Sequence, residues 1–260
     1  MPSSSPMSEV EETLSSRAEW IERLSIQPYA KRDLVDTLDV SRSTVDRGIR
    51  DLEVLGLIER SQSGLMSTLY GRLAAQEYRM FERRVDSVLD AQSVLSALAP
   101  DAEVDIDVLE GAEIVAAGTA APHIPGSRLE DAIREADRCR LLSRAYSHAE
   151  SVDLVHERIV RGRMTGALVF GSEVFDHLRS NHAEKLQEWV ATGRFDLFAA
   201  DDLPFGLFLT ERTQETQVCL VVYDRDNTIA GLIINDSDAA VEWGERIYRA
   251  YEEQAERVEL

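Results

Sequence analysis

The sequence predicts an α+β chain built in two parts and joined by a long helix. Three observations carry this. Apolar residues recur at helical spacing to about residue 55, and two short strand-like runs follow around a Gln-Ser-Gly turn. From residue 102 onward, strand-like and helical runs alternate, the pattern of a sheet covered by helices. Acidic charge is concentrated almost entirely in the second part.

The elements can be justified in order. Residues 1–8 are small, polar and proline-containing, and are expected to form a disordered tail. Val10, Leu14, Ala18, Ile21 and Leu24 define a first helix over 9–25, and Pro28 ends it. Leu34, Val35 and Leu38 give a short second helix over 30–38, and Asp39-Val40 is the turn. Ser41 is placed to cap a third helix over 42–55. At about 100° per residue, Val45, Ile49 and Leu52 share one sector of that helix, while Ser43, Arg47 and Arg50 project from the opposite side. Gly56 terminates it. Leu57–Arg60 and Leu65–Thr68 then form a hairpin around Gln62-Ser63-Gly64.

Helix, turn, helix and hairpin over residues 9–68 make a winged helix-turn-helix, a module that sets its second motif helix in the DNA major groove. On that reading Arg47 and Arg50 each grip a guanine edge, and Ser43 and Thr44 touch bases or phosphates beside the capping Ser41. Lys31, Arg32 and Arg42 contact phosphates, and Arg60, Gln62 and Ser63 reach the backbone or minor groove from the wing. Asp46, Asp51 and Glu53 on the same helix temper its potential.

Residues 69–97 read as one long helix with an apolar stripe of Leu69, Leu73, Phe81, Val85, Val88 and Leu95, closed by Ala99-Pro100-Asp101. The linker, 69–100, is expected to pair with its twin in a dimer or to pack on its own C-terminal domain. In the remainder, 101–260, strands are expected at 104–109, 113–117, 140–145, 165–170, 195–199, 206–210, 218–223 and 229–234. Helices are expected near 127–137, 150–162, 173–180, 182–192 and 238–256, with Ser172 and Ser237 as caps. The last three strands read as an antiparallel meander with a turn at Asp224-Arg225-Asp226-Asn227.

Composition narrows the function classes. The 260 residues, 44% hydrophobic, suffice for two cored domains. No run of 18 apolar residues occurs, and the start MPSSSPMSEVEE lacks the features of a secretion signal, so no membrane association and a cytoplasmic location are expected. Cys139 and Cys219 sit in apolar strand-like runs and are expected as buried hydrophobes. The net charge is −20, and only two of the 28 basic residues are lysines, Lys31 and Lys185. This balance resembles that of proteins from extreme halophiles, where molar salt screens self-repulsion over a Debye length of about 3 Å. Residues 1–86 hold 15 acids and 12 bases, a net of −3, and residues 87–260 hold 33 and 16, a net of −17. The N-terminal third has thus been relieved of the acid excess, as a polyanion-binding domain requires.

Residues 9–97 resemble archaeal winged helix-turn-helix transcription factors, in the broad group of arsenical-resistance and multiple-antibiotic-resistance regulators. The likeness rests on Ser41-Arg42-Ser43-Thr44-Val45 and on Ile49-Arg50-Asp51-Leu52-Glu53-Val54-Leu55-Gly56-Leu57-Ile58. Residues 102–256 resemble the C-terminal domain of the archaeal methanogenesis-regulator family, on Asp201-Asp202-Leu203-Pro204-Phe205-Gly206-Leu207, Tyr223-Asp224-Arg225-Asp226 and Asp236-Ser237-Asp238-Ala239-Ala240-Val241-Glu242-Trp243. The resemblance implies a transcriptional regulator whose regulatory domain has a phospholipase D-like sensor fold; it does not imply a role in methanogenesis.

Enzyme chemistry is not expected. Phospholipase D-like catalysis needs His-x-Lys pairs, and neither lysine stands two residues after a histidine. No Gly-x-Ser-x-Gly elbow or phosphate-binding glycine loop occurs. The histidines are His123, His148, His156, His177 and His182; the last two, five apart, do not share a helical face, and neither a metal nor a cofactor is expected. In α/β domains ligands gather at the C-terminal strand ends. Ser143, Arg144, Tyr146, Asp202, Phe205 and Asn235 are the candidates there, with Arg144 to neutralise an anionic group. The expected molecule is a dimeric DNA-binding regulator that reads a double-stranded operator, its C-terminal domain dimerising, sensing a small-molecule effector, or both. The alternatives are a regulator whose C-terminal domain binds a protein partner, and an enzyme fused to a helix-turn-helix.

Overall fold

The computed structural model describes residues 6–146, 149–213 and 215–258. The chain divides into two compact units, residues 1–85 and 86–260. The first contains α1 (Pro6–Ile26), α2 (Lys31–Leu38), α3 (Arg42–Val54), β1 (Ile58–Ser61) and β2 (Gly64–Ser67), and α4 (Leu69–Asp90) carries the chain across the division. The expected tail is shorter than 1–8: Pro6 opens α1, where a missing N–H costs no helical hydrogen bond, while residues 1–5 lie outside the described residues.

Ile21, Leu34, Val45, Leu52 and Leu57 are fully buried and form the centre of this unit. The hairpin pairs Ile58 with Ser67 through Ser61 with Gly64, which leaves Gln62 and Ser63 as a two-residue tip. Tyr29 adds a short third rung through reciprocal bonds with Leu65, 3.0 and 2.9 Å. The Thr68 hydroxyl bonds the Gly56 carbonyl at 2.7 Å and accepts from Gly71 N at 2.9 Å, tying the wing to α4. A Cβ on Gly71 would lie 1.9 Å from the Leu57 carbonyl oxygen, so only glycine permits α4 to leave the wing this closely.

In the second unit come α5 (Gln92–Leu95), α6 (Ile106–Leu109), β3 (Glu113–Ala116), α7 (Ile124–Glu135), β4 (Arg138–Ser143), α8 (Ala149–Val160) and β5 (Thr165–Gly171). Then follow α9 (Ser172–Asn181), α10 (Ala183–Ala191), β6 (Phe195–Ala200), β7 (Gly206–Arg212), β8 (Glu215–Tyr223), β9 (Ile229–Asn235), α11 (Asp238–Glu252) and β10 (Glu256–Arg257). The strands form one sheet in the order β10-β6-β5-β4-β7-β8-β9-β3. β4, β5 and β6 run parallel, and every other pairing is antiparallel, including the expected β7-β8-β9 meander. Helices α7 to α10 pack on one face and α5, α6 and α11 on the other. Val218–Tyr223 are therefore buried without alternation, as a strand covered on both faces must be.

Four expectations are corrected here. The strand expected at 104–109 is a short helix, because the Asp105 carboxylate accepts from Asp107 N and starts a turn at Ile106. The helix expected over 69–97 stops at Asp90, where the chain bends at Ala91 and buries Val94 in van der Waals range of Gly231. Ser172 is the first residue of α9 rather than its cap; its hydroxyl donates to the Asp201 carbonyl at 3.0 Å. The last helix ends at Glu252, and β10 then covers the β6 edge. Ser41 and Ser237 cap as expected, accepting from Thr44 N and Ala240 N. Among the described residues no helix is long and apolar enough to cross a membrane.

Cys139 and Cys219 are buried and unpaired by any disulfide, and burial pushes both thiols up to about 12. At pH 8, where an ordinary thiol is partly ionised at its pKa of about 8.5, the native chain should resist iodoacetamide. Labelling of both cysteines should appear only in denaturant; rapid modification of native protein, followed by mass spectrometry, would contradict this packing.

Candidate functional site

Helix α3 carries three acids, and each is neutralised by a base from a different neighbouring element. Arg17 on α1 pairs with Asp51 at 2.9 Å, Lys31 at the start of α2 pairs with Asp46, and Arg60 on β1 grips Glu53 through two bonds of 2.6 and 3.1 Å. The Glu53 hydrogen bond, then its charge, raises Arg60 above its ordinary value. Half-exposed pairs of this kind contribute on the order of 0–1 kcal/mol, so their consequence is the local field rather than stability. With the acids answered, Arg42, Arg47 and Arg50 remain exposed and, among the described residues, without an ionic partner.

The local sequence sets this geometry. Val45, Ile49 and Leu52 are buried, which turns Ser43, Arg47 and Arg50 to solvent as the helical spacing requires. Ser41 Oγ accepts from Thr44 N at 3.2 Å and lies 2.9 Å from Ser43 Oγ and 2.8 Å from Thr44 Oγ1, so three hydroxyls gather at the start of α3. Gln62 and Ser63 are exposed at the wing tip, with Ser63 Oγ 2.9 Å from Ser61 Oγ. Arg32 is open to solvent beside Asp33 at 3.2 Å. Lys31, expected as a phosphate contact, and Arg60, expected to reach the backbone or minor groove, thus pair with acids of α3.

Sequence reasoning missed Gly48. It faces Trp20 of α1, whose ring also lies under the Arg17 guanidinium at 5.8 Å. The glycine lets α1 press against α3, which brings Arg17 to Asp51. Its only sequence signal is a small residue between two arginines on a helix.

In the second unit the six candidate ligand residues separate into three settings. Ser143 and Tyr146 line an apolar cavity of about 60 Å³ with Phe170, Trp189 and Tyr223. That is well below the ~150 Å³ of a cavity that takes up benzene. Tyr146 is engaged with the histidine pair: its hydroxyl is 3.2 Å from His182 Nε2, and its ring lies 4.6 Å from that of His177. The fold thus brings His177 and His182 to 6.0 Å between ring centres, although they do not share a helical face. Among the described residues no three metal-ligating side chains converge, and His148 lies outside those residues.

Arg144 and Asp202 share an open cleft of about 680 Å³ that also includes Glu103, Tyr223, Arg225 and Tyr251. The Arg144 guanidinium lies 5.9 Å from the Tyr223 ring centre. Phe205 and Asn235 belong to neither site. Phe205 is fully buried against Trp243, 6.2 Å between rings. Asn235 is buried, donating to the Val108 and Glu110 carbonyls at 3.2 and 2.9 Å and accepting from Ser237 N at 2.9 Å. Both are structural: Phe205 fills the core beside Trp243, and Asn235 satisfies backbone groups of Val108, Glu110 and Ser237.

Residues 122–254 match the family model of the methanogenesis regulatory protein FilR1, middle domain, and residues 9–90 match the HVO_A0261 N-terminal domain. The chain belongs to the family of the methanogenesis regulatory protein FilR1. It is accordingly a transcriptional regulator, with the helices and hairpin of a winged helix-turn-helix in the first unit and its family-defining α/β domain in the second. Among solved structures it is similar to the archaeal chromatin protein TrmBL2, at 15% identity over 88% of both chains and a TM-score of 0.45. It is also similar to Nuc, a phospholipase D family member from Salmonella typhimurium, at 10% identity over 57% of this chain and 98% of that one, TM-score 0.42. Phosphatidylserine synthase from Haemophilus influenzae Rd KW20 is similar at 10% identity over 75% and 55%, TM-score 0.43. No curated protein sequence shows a significant match.

A Cβ on Gly48 would stand 2.2 and 2.5 Å from two Trp20 ring carbons. Gly48→Ala should therefore destabilise the first unit, since overpacking costs about 1–3 kcal/mol against about 1 kcal/mol gained in helix propensity. Hydrogen exchange of the α1 and α3 amides should quicken while the sheet of the second unit is unaffected. Unchanged exchange in α3 would rule out the contact.

Proposed function

We propose that this regulator reads its operator as a dimer, with Arg47 and Arg50 of α3 contacting base edges and a small-molecule effector controlling the second unit. The observation that carries the DNA reading is the pairing of Asp46, Asp51 and Glu53 around three arginines that have no ionic partner among the described residues. A guanidinium held this way has its fork free for the O6/N7 edge of guanine. The three hydroxyls at the start of α3 and the wing tip residues Gln62 and Ser63 suit phosphate contacts that fix register. Arg42 and Arg32, both exposed, complete that phosphate-facing set.

The dimer is proposed through α4. Ala74, Tyr78, Phe81, Val85 and Val88 follow one another at alternating steps of four and three, the spacing of a coiled-coil seam. Ala74 and Tyr78 pack on the first unit, but Phe81 is 59% exposed and Val88 42%. A seam left open in its second half favours a twin helix over the chain's own core. Two recognition helices related by a two-fold axis would meet half-sites about 34–36 Å apart or a multiple of that. For the effector, Arg144 and Asp202 in one cleft at the C-terminal ends of the parallel strands support a ligand site there. An effector that prefers one arrangement of the two halves would shift the DNA-competent population by its differential affinity.

Footprinting at high KCl should show protection by wild type and its loss in Arg47→Ala/Arg50→Ala, each bidentate contact being worth about 1–3 kcal/mol. Equal protection by both proteins would refute base reading by these arginines. Light scattering at molar KCl should give a dimer for wild type and a monomer for Phe81→Glu/Val88→Glu; a variant that stays dimeric would move the interface away from α4.

A further inference from the structure

Trp189 of α10 is buried in the core of the second unit, its ring stacked on Phe170 with 6.4 Å between centres. The indole N–H is the one hydrogen-bonding group of that side chain, and it can only donate. It donates to Nδ1 of His156 on α8 at 2.9 Å. An imidazole nitrogen accepts only while it carries no proton, so the single proton of the neutral ring sits on Nε2. That nitrogen lies 3.3 Å from a Glu188 carboxylate oxygen, which accepts its proton. The two contacts together select one tautomer of one histidine.

A second proton has only Nδ1 to occupy. There it would face the indole N–H, donor against donor, and a buried donor would lose its acceptor. The surrounding charges offer little in return. Glu188 is half-exposed and already holds the Nε2 proton of the neutral ring, so the imidazolium gains charge attraction there but no new bond. Asp153 on α8 is engaged by Lys185 of α10, and Glu157 by Arg161. On α7, which also packs against α8, Glu130 and Asp131 share Arg134. The two histidines at the far end of α9 behave differently. The Tyr146 hydroxyl, 3.2 Å from His182 Nε2, can accept as readily as donate, so that contact survives protonation, and His177 Nδ1 meets only the Asn181 amide at 3.5 Å.

We propose that His156 is a proton-operated latch between α8 and α10: its neutral ring anchors Trp189, and protonation releases the indole and loosens the wall of the cavity that Trp189 lines. A histidine that the fold holds neutral must charge as the medium acidifies, so the latch is in place at neutral pH and is lost as pH falls through the ordinary histidine range.

Side-chain indole signals of the ¹⁵N-labelled full chain in KCl test this between pH 8 and pH 5.5, a window in which histidines are the side chains that ordinarily titrate. Trp189→Phe assigns the signal. After correction for the intrinsic pH dependence of exchange, the Trp189 indole proton should exchange at least about tenfold faster at pH 5.5 than at pH 8, the factor for ~1.4 kcal/mol. Those of Trp20 and Trp243 should keep their protection. His156→Gln should stay protected throughout, since a carboxamide oxygen accepts without titrating, whereas His177→Asn/His182→Gln should respond as wild type does. A Trp189 signal unchanged across the window, or a response that survives His156→Gln, would overturn the latch. Should His156→Gln melt early, the wild-type ring decides: long-range ¹⁵N–¹H couplings should show its proton on Nε2 at pH 8, and a proton on Nδ1 at that pH would refute the bond to Trp189.

Discussion

On the proposed reading, a chain of net charge −20 that approaches a polyanion has to neutralise the acids where it makes contact, and the packing of the first unit meets that constraint. The recognition helix cannot simply lack acids, since Asp46, Asp51 and Glu53 are present. Each is instead answered by a base brought from α1, α2 or β1. The helix therefore depends on three different elements being in place, and its field is a property of the folded unit rather than of the segment. An isolated α3 peptide would carry the same residues and present a weaker surface.

Packing makes the pairing possible. Trp20 and Arg17 lie three residues apart on α1, near one another on the helix surface, and Gly48 admits the ring against α3. The same close approach carries the Arg17 guanidinium to Asp51. At the other end, Gly71 admits α4 against the Leu57 carbonyl, and the Thr68 hydroxyl bridges Gly56 and Gly71. Backbone and aromatic contacts of this sort hold the elements that supply the compensating bases, so steric fit and electrostatics are one problem here.

What the sequence made legible follows from the range over which its signals act. The buried face of α3 and the Ser41 cap are local patterns that stand in the structure as read, and the hairpin turn expected at Gln62-Ser63-Gly64 is there one residue shorter, since Gly64 pairs with Ser61. The eight expected runs in the second unit recovered seven strands, because an apolar run of five or six residues is a strong strand signal. The eighth, at 104–109, failed on a single side chain, Asp105, whose capping bond outweighed the run. Long-range matters were hidden. Nothing near Asn235 reveals that its amide closes a loop at Val108 and Glu110, and nothing near Tyr251 reveals Glu103. Phe205 looked like an aromatic at a strand end and is instead a core residue, since burial is decided by α11, which supplies Trp243 from far along the chain.

The use of arginine sharpens the argument about salt. At molar ionic strength the Debye length falls to about 3 Å, and the release of condensed counterions contributes little driving force. A point charge on a flexible stem then loses most of its attraction for a phosphate, whereas a guanidinium keeps directional bonds that salt does not screen at contact distance. Both lysines of this chain are used internally, Lys31 on Asp46 and Lys185 on Asp153. Every basic side chain left without a partner among the described residues is consequently an arginine. If Arg42, Arg47 and Arg50 meet DNA as proposed, affinity at molar salt would come from geometry more than from net charge, and three unpaired guanidinia on one helix would count for more than the twenty surplus acids elsewhere in the chain.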